Sequence, residues 1–271
     1  EVDIAYSIRG ELAEELQKTP GLTLKPAVIQ APFWLYFADQ WDPKSPWHDR
    51  RVREAASLGI DRPSINQALT LGHSRLSGSI IPTSFEYFWQ PPAPVYDRAR
   101  AKQLLAAAGY PSGFDAGEYF CDGSYANLAE EVGNWLQQVG IRVKLRPLER
   151  AAFFSGYSEK KFKNLIQGAS GAFGNAATRM EAFVVTGGTY VYGTYPDLDG
   201  LYREQASELD QKKRETILQR MQQLLQDRAV YAPIWELAFL NGVGPRVQEA
   251  ALGLIPGHAY SAPYEDVAIK K

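Results

Sequence analysis

Residues 128–145 read as a helix that runs directly into a strand, and no other stretch narrows the fold as much. Leu128, Val132, Trp135, Leu136 and Val139 recur at helical spacing, Gly140 follows as a stop, and Ile141, Val143 and Leu145 then alternate with Arg142, Lys144 and Arg146. The apolar period changes from about 3.6 to 2 across one glycine, so a striped helix hands the chain to a half-buried strand. The same order returns later. Asp210 caps a helix bearing Ile217, Met221, Leu224 and Leu225, which leads into the strand-like run Val230-Tyr231-Ala232-Pro233-Ile234-Trp235. Helix then strand, repeated, predicts an α/β domain with helices packed on a sheet, not necessarily an all-parallel one.

Three more helices follow from caps and spacing. Asp49 opens one with Val52, Ala55 and Ala56 inward and Gly59 at its end; Asp61-Arg62-Pro63-Ser64 opens a second with Ile65, Ala68 and Leu69 on one face, stopping at Gly72. Asp97 opens a third with Leu104, Leu105 and Ala108 apolar before Gly109. With 271 residues and 45% hydrophobic content the chain can build one large domain or two small ones. A net charge of −2 gives no basic face for nucleic acid; the cluster Glu159-Lys160-Lys161-Phe162-Lys163 reads as a solvated helix end. The run Glu1-Val2-Asp3-Ile4-Ala5 is already strand-like, with no turn or cap ahead of it. No repeat, signal peptide or long apolar span stands out.

Enzyme signatures are missing. There is no Gly-x-Ser-x-Gly elbow and no phosphate-binding Gly-x-x-x-x-Gly-Lys-Ser/Thr loop. His48, His73 and His258 lie far apart without metal-ligand spacing and read as surface or cap residues, so no metal or cofactor is expected. The single cysteine, Cys121, precludes an intrachain disulfide, and Asp122 beside it disfavours a thiolate nucleophile. Asp49, Asp61, Asp97 and Asp210 are accounted for as helix caps.

Four stretches carry a family resemblance. They are Pro46-Trp47-His48-Asp49-Arg50-Arg51-Val52-Arg53-Glu54-Ala55 running on to Gly59-Ile60-Asp61-Arg62, and Pro94-Val95-Tyr96-Asp97-Arg98-Ala99 through Leu105 with Ala108-Gly109-Tyr110-Pro111-Ser112-Gly113-Phe114. The third is Trp135-Leu136-Gln137-Gln138-Val139-Gly140-Ile141-Arg142-Val143; the fourth is Asp197-Leu198-Asp199-Gly200-Leu201, then Asp210 through Arg214, closing with Ala232-Pro233-Ile234-Trp235. In this order they resemble the C-terminal lobe of family 5 solute-binding proteins, which serve dipeptide, oligopeptide and nickel ABC importers.

The resemblance implies one lobe of a periplasmic-binding-protein type II (cluster C) fold, a mixed sheet flanked by helices, located outside the cytoplasm. Residues 1–30 would be a strand and crossing segment from an absent N-terminal lobe, 31–236 the ligand-binding lobe, and 237–271 a return segment. The expected partners are a peptide or small-molecule ligand, permease subunits, and the N-terminal lobe of the same protein. A truncated or stand-alone lobe acting as a protein-interaction module is the alternative. Trp34 and Tyr36 share one face of the run Phe33–Phe37, the other face being core, and are candidate ligand walls. In peptide-binding relatives an acidic residue near the loop 168–175 holds the peptide's amino terminus; here Asn175 stands in roughly that place, with no carboxylate from Leu165 to Met180. Ser170, Phe173 and Asn175 are candidate contacts in this small-residue loop, Arg179 a candidate anion partner, and Tyr190 and Tyr192 candidate grips for a polar ligand. Each is also open to a plainer reading as core, helix surface or loop.

Overall fold

The aspartates cap the helices that the spacing predicts. In the computed structural model, which describes residues 2–171, 174–254 and 264–270, the Asp49, Asp61, Asp97 and Asp210 side chains each accept a backbone N–H from the first turn of a helix. In chain order the elements are β1 (Ile4–Ala5), α1 (Gly10–Lys18), β2 (Thr23–Phe37), α2 (Arg50–Leu58), α3 (Arg62–Thr70), β3 (Arg75–Leu76), α4 (Arg98–Ala107), β4 (Phe114–Asp122), α5 (Ala126–Gln138) and β5 (Ile141–Leu148). Then come α6 (Arg150–Ser158), β6 (Leu165–Ala169), α7 (Ala176–Phe183), α8 (Pro196–Ser207), α9 (Gln211–Asp227), β7 (Tyr231–Val243), β8 (Val247–Glu249) and β9 (Ala268–Ile269).

The main sheet runs β1-β7-β2-β6-β4-β5, with β3 added to β7; β8 and β9 pair separately. β4 lies parallel to both β5 and β6, whereas β2 is antiparallel to β6 and to β7. The sheet is mixed, as the resemblance implies. β2 and β7 are its longest strands, and their ladder slips between Val28 and Pro32, so residues 29–31 of β2 bulge opposite Leu237 of β7.

Helices cover both faces. Phe33, Leu35 and Phe37 of β2 join one core with Val52, Ala55, Leu104, Leu128, Val132 and Leu136 from α2, α4 and α5. Trp34 and Tyr36 point the other way, into a second core with residues of α6, α7, α8 and α9. Two predicted helix faces shift. In α3 Ala68 is exposed and the inner face holds Arg62, Ile65, Asn66 and Thr70, because Arg62 and Asn66 bond buried backbone carbonyls of Pro233 and Ser74. In α9 the buried positions are Leu218, Met221, Gln222 and Leu225, with Ile217 and Leu224 half-buried. Gln222 goes inward because its amide ties to the backbone of Tyr87 and Trp89. His48 and His73 are exposed, and His258 lies outside the described residues.

Candidate functional site

The parallel strands β4, β5 and β6 end together at Asp122, Leu148 and Ala169. In open α/β sheets ligands sit outside such carboxyl ends, where the chain turns into helices and backbone donors face outward. Here each end is held by a polar residue. Asp122 accepts Ser124 N at 3.0 Å and pairs with Arg150 Nη1 at 2.5 Å. Glu149 caps α6 through Ala151 N and Ala152 N. Buried Gln167 bridges the strands to the turn after β4: its amide donates to Tyr125 O at 3.3 Å and its carbonyl accepts Tyr119 Oη at 3.3 Å.

Asn175 is the N-cap of α7. Its Oδ1 accepts Ala177 N at 3.0 Å and Thr178 N at 3.2 Å, while Asn175 N donates to Thr178 Oγ1 at 3.1 Å, a capping box. One turn on, Arg179 is only 3% exposed; it donates to Ser170 O at 3.4 Å and lies over the rings of Phe85 and Phe183. Burial pulls its pKa down to about 10, so it remains a cation at neutral pH, clamping the loop to the helix. Ser170, Asn175 and Arg179 are thus brought together around the start of α7, and Phe173 lies outside the described residues.

Trp34, Tyr36, Tyr190 and Tyr192 form a different group, beneath this edge. Trp34 is 0% and Tyr36 1% exposed. The expectation of one core face and one ligand face on this strand is corrected: both faces are core, because α6–α9 cover the second. Trp34 stacks edge-on against Phe183 and Tyr231, and its indole lies so close to β6 that a Cβ on Gly168 would fall 2.1 Å from Nε1. Tyr36 Oη accepts Trp41 Nε1 at 3.4 Å and Tyr192 N at 3.3 Å, and burial pushes its pKa up to about 12. Half-buried Tyr190 stacks on Phe183 at 5.0 Å and packs against Tyr157 at 4.8 Å. Tyr192 Oη accepts Phe162 N, and Lys160 sits over its ring.

A cavity of about 540 Å3 adjoins the edge at the turn after β4, lined among others by Phe33, Thr70, Tyr125, Asn127, Trp235 and Leu237 but not by Ser170, Asn175 or Arg179. None of these six is a candidate contact from the sequence, where Phe33 and Trp235 read only as strand residues. The available signal was the Asp122-Gly123-Ser124 turn at the end of a strand. Trp235 Nε1 is buried without a hydrogen-bond partner among the described residues. Glu236, 2% exposed, accepts Thr83 N, Thr83 Oγ1 at 3.1 Å and Arg75 Nη1 at 3.0 Å. The two buried carboxylates of this region, Asp122 and Glu236, are therefore each matched by an arginine. Among the described residues no cluster of His, Cys, Asp and Glu is arranged to hold a metal.

Comparison with known proteins places this geometry. The profile of the bacterial extracellular solute-binding proteins, family 5 Middle, matches residues 1–190. The glutathione-binding protein GsiB of Escherichia coli K12 is 26% identical over 170 residues, 59% of this chain and 32% of its own length. The substrate-binding protein CtaP from Listeria monocytogenes superposes with a TM-score of 0.83 at 18% identity, over 100% of this chain and 56% of its own. NikA from Brucella suis, solved with Fe(III)-EDTA, gives 0.82 at 20% identity over 100% and 58%. DppA from Helicobacter pylori, solved with the peptide STSA, gives 0.79 at 18% over 100% and 53%. The fold is that of the type II periplasmic binding proteins. The chain spans little more than half the length of these solved structures, and the matched stretch about a third of GsiB.

Proposed function

This chain belongs to family 5 of the bacterial extracellular solute-binding proteins, and on that premise we propose that it is part of the substrate-binding component of an ABC importer. Residues 31–236 form the C-terminal lobe, and 1–30 and 237–271 cross to and return towards an N-terminal lobe of the same protein. The two lobes close on a peptide or other small polar solute, which is then delivered to permease subunits. The observation that carries this reading is the shared carboxyl edge of β4, β5 and β6 beside a cavity of about 540 Å3. The break in the β2–β7 ladder between Val28 and Pro32 supports a hinge at the boundary between lobe and crossing segment. Exposed Val2, Leu12, Leu22 and Val28 on the crossing segments suit a covering lobe better than a stand-alone interaction module.

We read the chain as a binder and not a catalyst. The Cys121 thiol, the one soft nucleophile, is buried, and its pKa is pushed up to about 12 by that burial first and then by Asp122 and Glu130. Ser170 and Asn175 are the proposed solute contacts. Arg179 holds their loop, and Trp34, Tyr36, Tyr190 and Tyr192 support it from below. Asp122 and Glu236 are already paired with arginines and Asn175 carries no charge, which supports a preference for neutral or anionic polar solutes over free peptides at the Ser170–Asn175 loop, while Glu11 and Glu130 line the neighbouring cavity.

Calorimetry tests the two-lobe reading. Met-Leu, glutathione and their N-acetylated forms are titrated into this chain and into a longer form that includes an N-terminal lobe. Half a site loses much of the burial that offsets immobilising the solute, so this chain should bind at least about 100-fold more weakly. Equal affinities would overturn the reading.

A further inference from the structure

A second cavity, of about 380 Å3, lies on the outer flank of β7 between α2, the C-terminal end of α9 and the segment 78–95. It shares no lining residue with the cavity at the carboxyl edge. The segment over it is a built strap. Gln222 of α9 accepts Trp89 N at 3.0 Å and donates to Tyr87 O at 2.8 Å, and Gln219 donates to Phe88 O at 3.4 Å. Beyond that seam Pro91, Pro92 and Pro94 keep the chain extended and remove backbone donors. Gly78 lets the strap lie flat, since a Cβ there would fall 2.9 Å from Pro91 Cγ and Pro92 O. Trp89, Pro92, Pro94 and Val95 form an apolar roof.

The floor is different in kind. Arg62 lines the cavity and is 2% exposed. Its guanidinium donates to Pro233 O at 2.6 Å, Ser57 O at 2.9 Å, Ile60 O at 3.2 Å and Ser57 Oγ at 3.0 Å. All four acceptors are neutral, and a guanidinium has five donors, so among the described residues one Nη2 hydrogen is left over. Ser57 O belongs to the last turn of α2, whose partial negative charge explains a cation here, and Ile60 O lies just past the Gly59 cap. It does not amount to a counter-ion. At the mouth Arg50 is taken up by Glu54 at 3.1 Å and by the backbone carbonyl of Asp227, and the exposed Asp227 carboxylate disfavours an anion there. A negative group is therefore welcome only at depth.

We propose that this cavity is a second ligand site, taking a small organic anion with an aromatic or branched apolar body, its carboxylate on Arg62 and its body under Trp89 and the proline roof. A desolvated guanidinium bonded to neutral carbonyls gains a charge-assisted hydrogen bond from a carboxylate. The walls bury the apolar body, and the volume falls at the small end of the range for ligand pockets. This site is independent of the solute at the carboxyl edge and of the lobe reading.

The probes are 3-phenylpropionate and 3-phenylpropan-1-ol, titrated into the 271-residue chain by calorimetry, with hydrogen exchange recorded on the complex. The acid should bind saturably, protect 86–96 and leave 165–180 unchanged, and the alcohol should bind at least about tenfold more weakly. Trp89→Leu, which leaves Arg62 and its partners in place, should weaken the acid roughly fivefold or more. Absence of saturable binding, equal affinity for acid and alcohol, indifference to Trp89→Leu, or protection at 165–180 instead of 86–96 each overturns the proposal.

Discussion

Asn175 works through two different atoms. Oδ1 is committed to the α7 cap, while Nδ2 makes no hydrogen bond among the described residues. Aspartate caps a helix about as well as asparagine, so Asn175→Asp changes charge while keeping the cap. Asn175→Ala should lower stability by about 1 kcal/mol in urea denaturation, and Asn175→Asp by less than about 0.5 kcal/mol. In a two-lobed form, Asn175→Asp should shift preference towards free peptides over N-acetylated ones by roughly tenfold; an unshifted preference removes Asn175 from the site. The sequence drew attention to this loop through its small residues and its want of a carboxylate, but the capping box with Thr178 went unread. Trp34 and Tyr36 show a related limit. Alternation tells which residues share a face of a strand, not what covers that face, and the cover comes from helices more than a hundred residues further on.

Among the elements, the αβ turns were the most legible, because glycine marks them chemically. Gly113 and Gly140 both have positive φ, 74° and 99°, and their backbones touch: a Cβ on Gly113 would fall 2.0 Å from Gly140 O. That contact aligns Phe114 with Ile141, the first pair of the β4–β5 ladder. Gly113→Ala should therefore cost about 2–4 kcal/mol, combining a left-handed backbone with a backbone clash. Gly200 lies inside α8 with nothing within 4 Å of its Cβ position, and Gly200→Ala should stabilise by about 0.5–1 kcal/mol. Denaturation midpoints of the two variants check the pair, and a tolerated Gly113→Ala would refute the contact. The β2–β7 ladder, by contrast, was not legible. It joins Thr23 to Val243, and no local period encodes a pairing between opposite ends of a chain.

For the molecule as a whole, the two cores differ in what they withhold from water. The face covered by α6–α9 buries Tyr36, Tyr157 and Tyr231, and the opposite face buries Tyr119 and Cys121. Burial raises every one of these acids: Tyr36 from 10.0 to about 12, Cys121 from 9.0 to about 12, and Tyr119, Tyr157 and Tyr231 well above 10.0. A folded pKa above the unfolded one means that the folded state holds more protons at alkaline pH. The associated stability is complete below the unfolded values and is lost as pH rises from about 9 through 12. Arg62 and Arg179 act in the opposite sense, since burial lowers both from 12.5 to about 10, but only above that pH and as two groups against five. Urea midpoints should hold steady through neutral pH and then fall steeply above about pH 9, and the part of the tyrosinate absorbance that belongs to the buried Tyr36, Tyr119, Tyr157 and Tyr231 should rise only with loss of structure. Tyr36→Phe should reduce the slope of that fall while lowering stability at neutral pH, where Trp41 and Tyr192 lose their acceptor. Ionisation of all fifteen tyrosines near pH 10 with the midpoint unchanged would mean that the two cores admit water, contrary to the packing described.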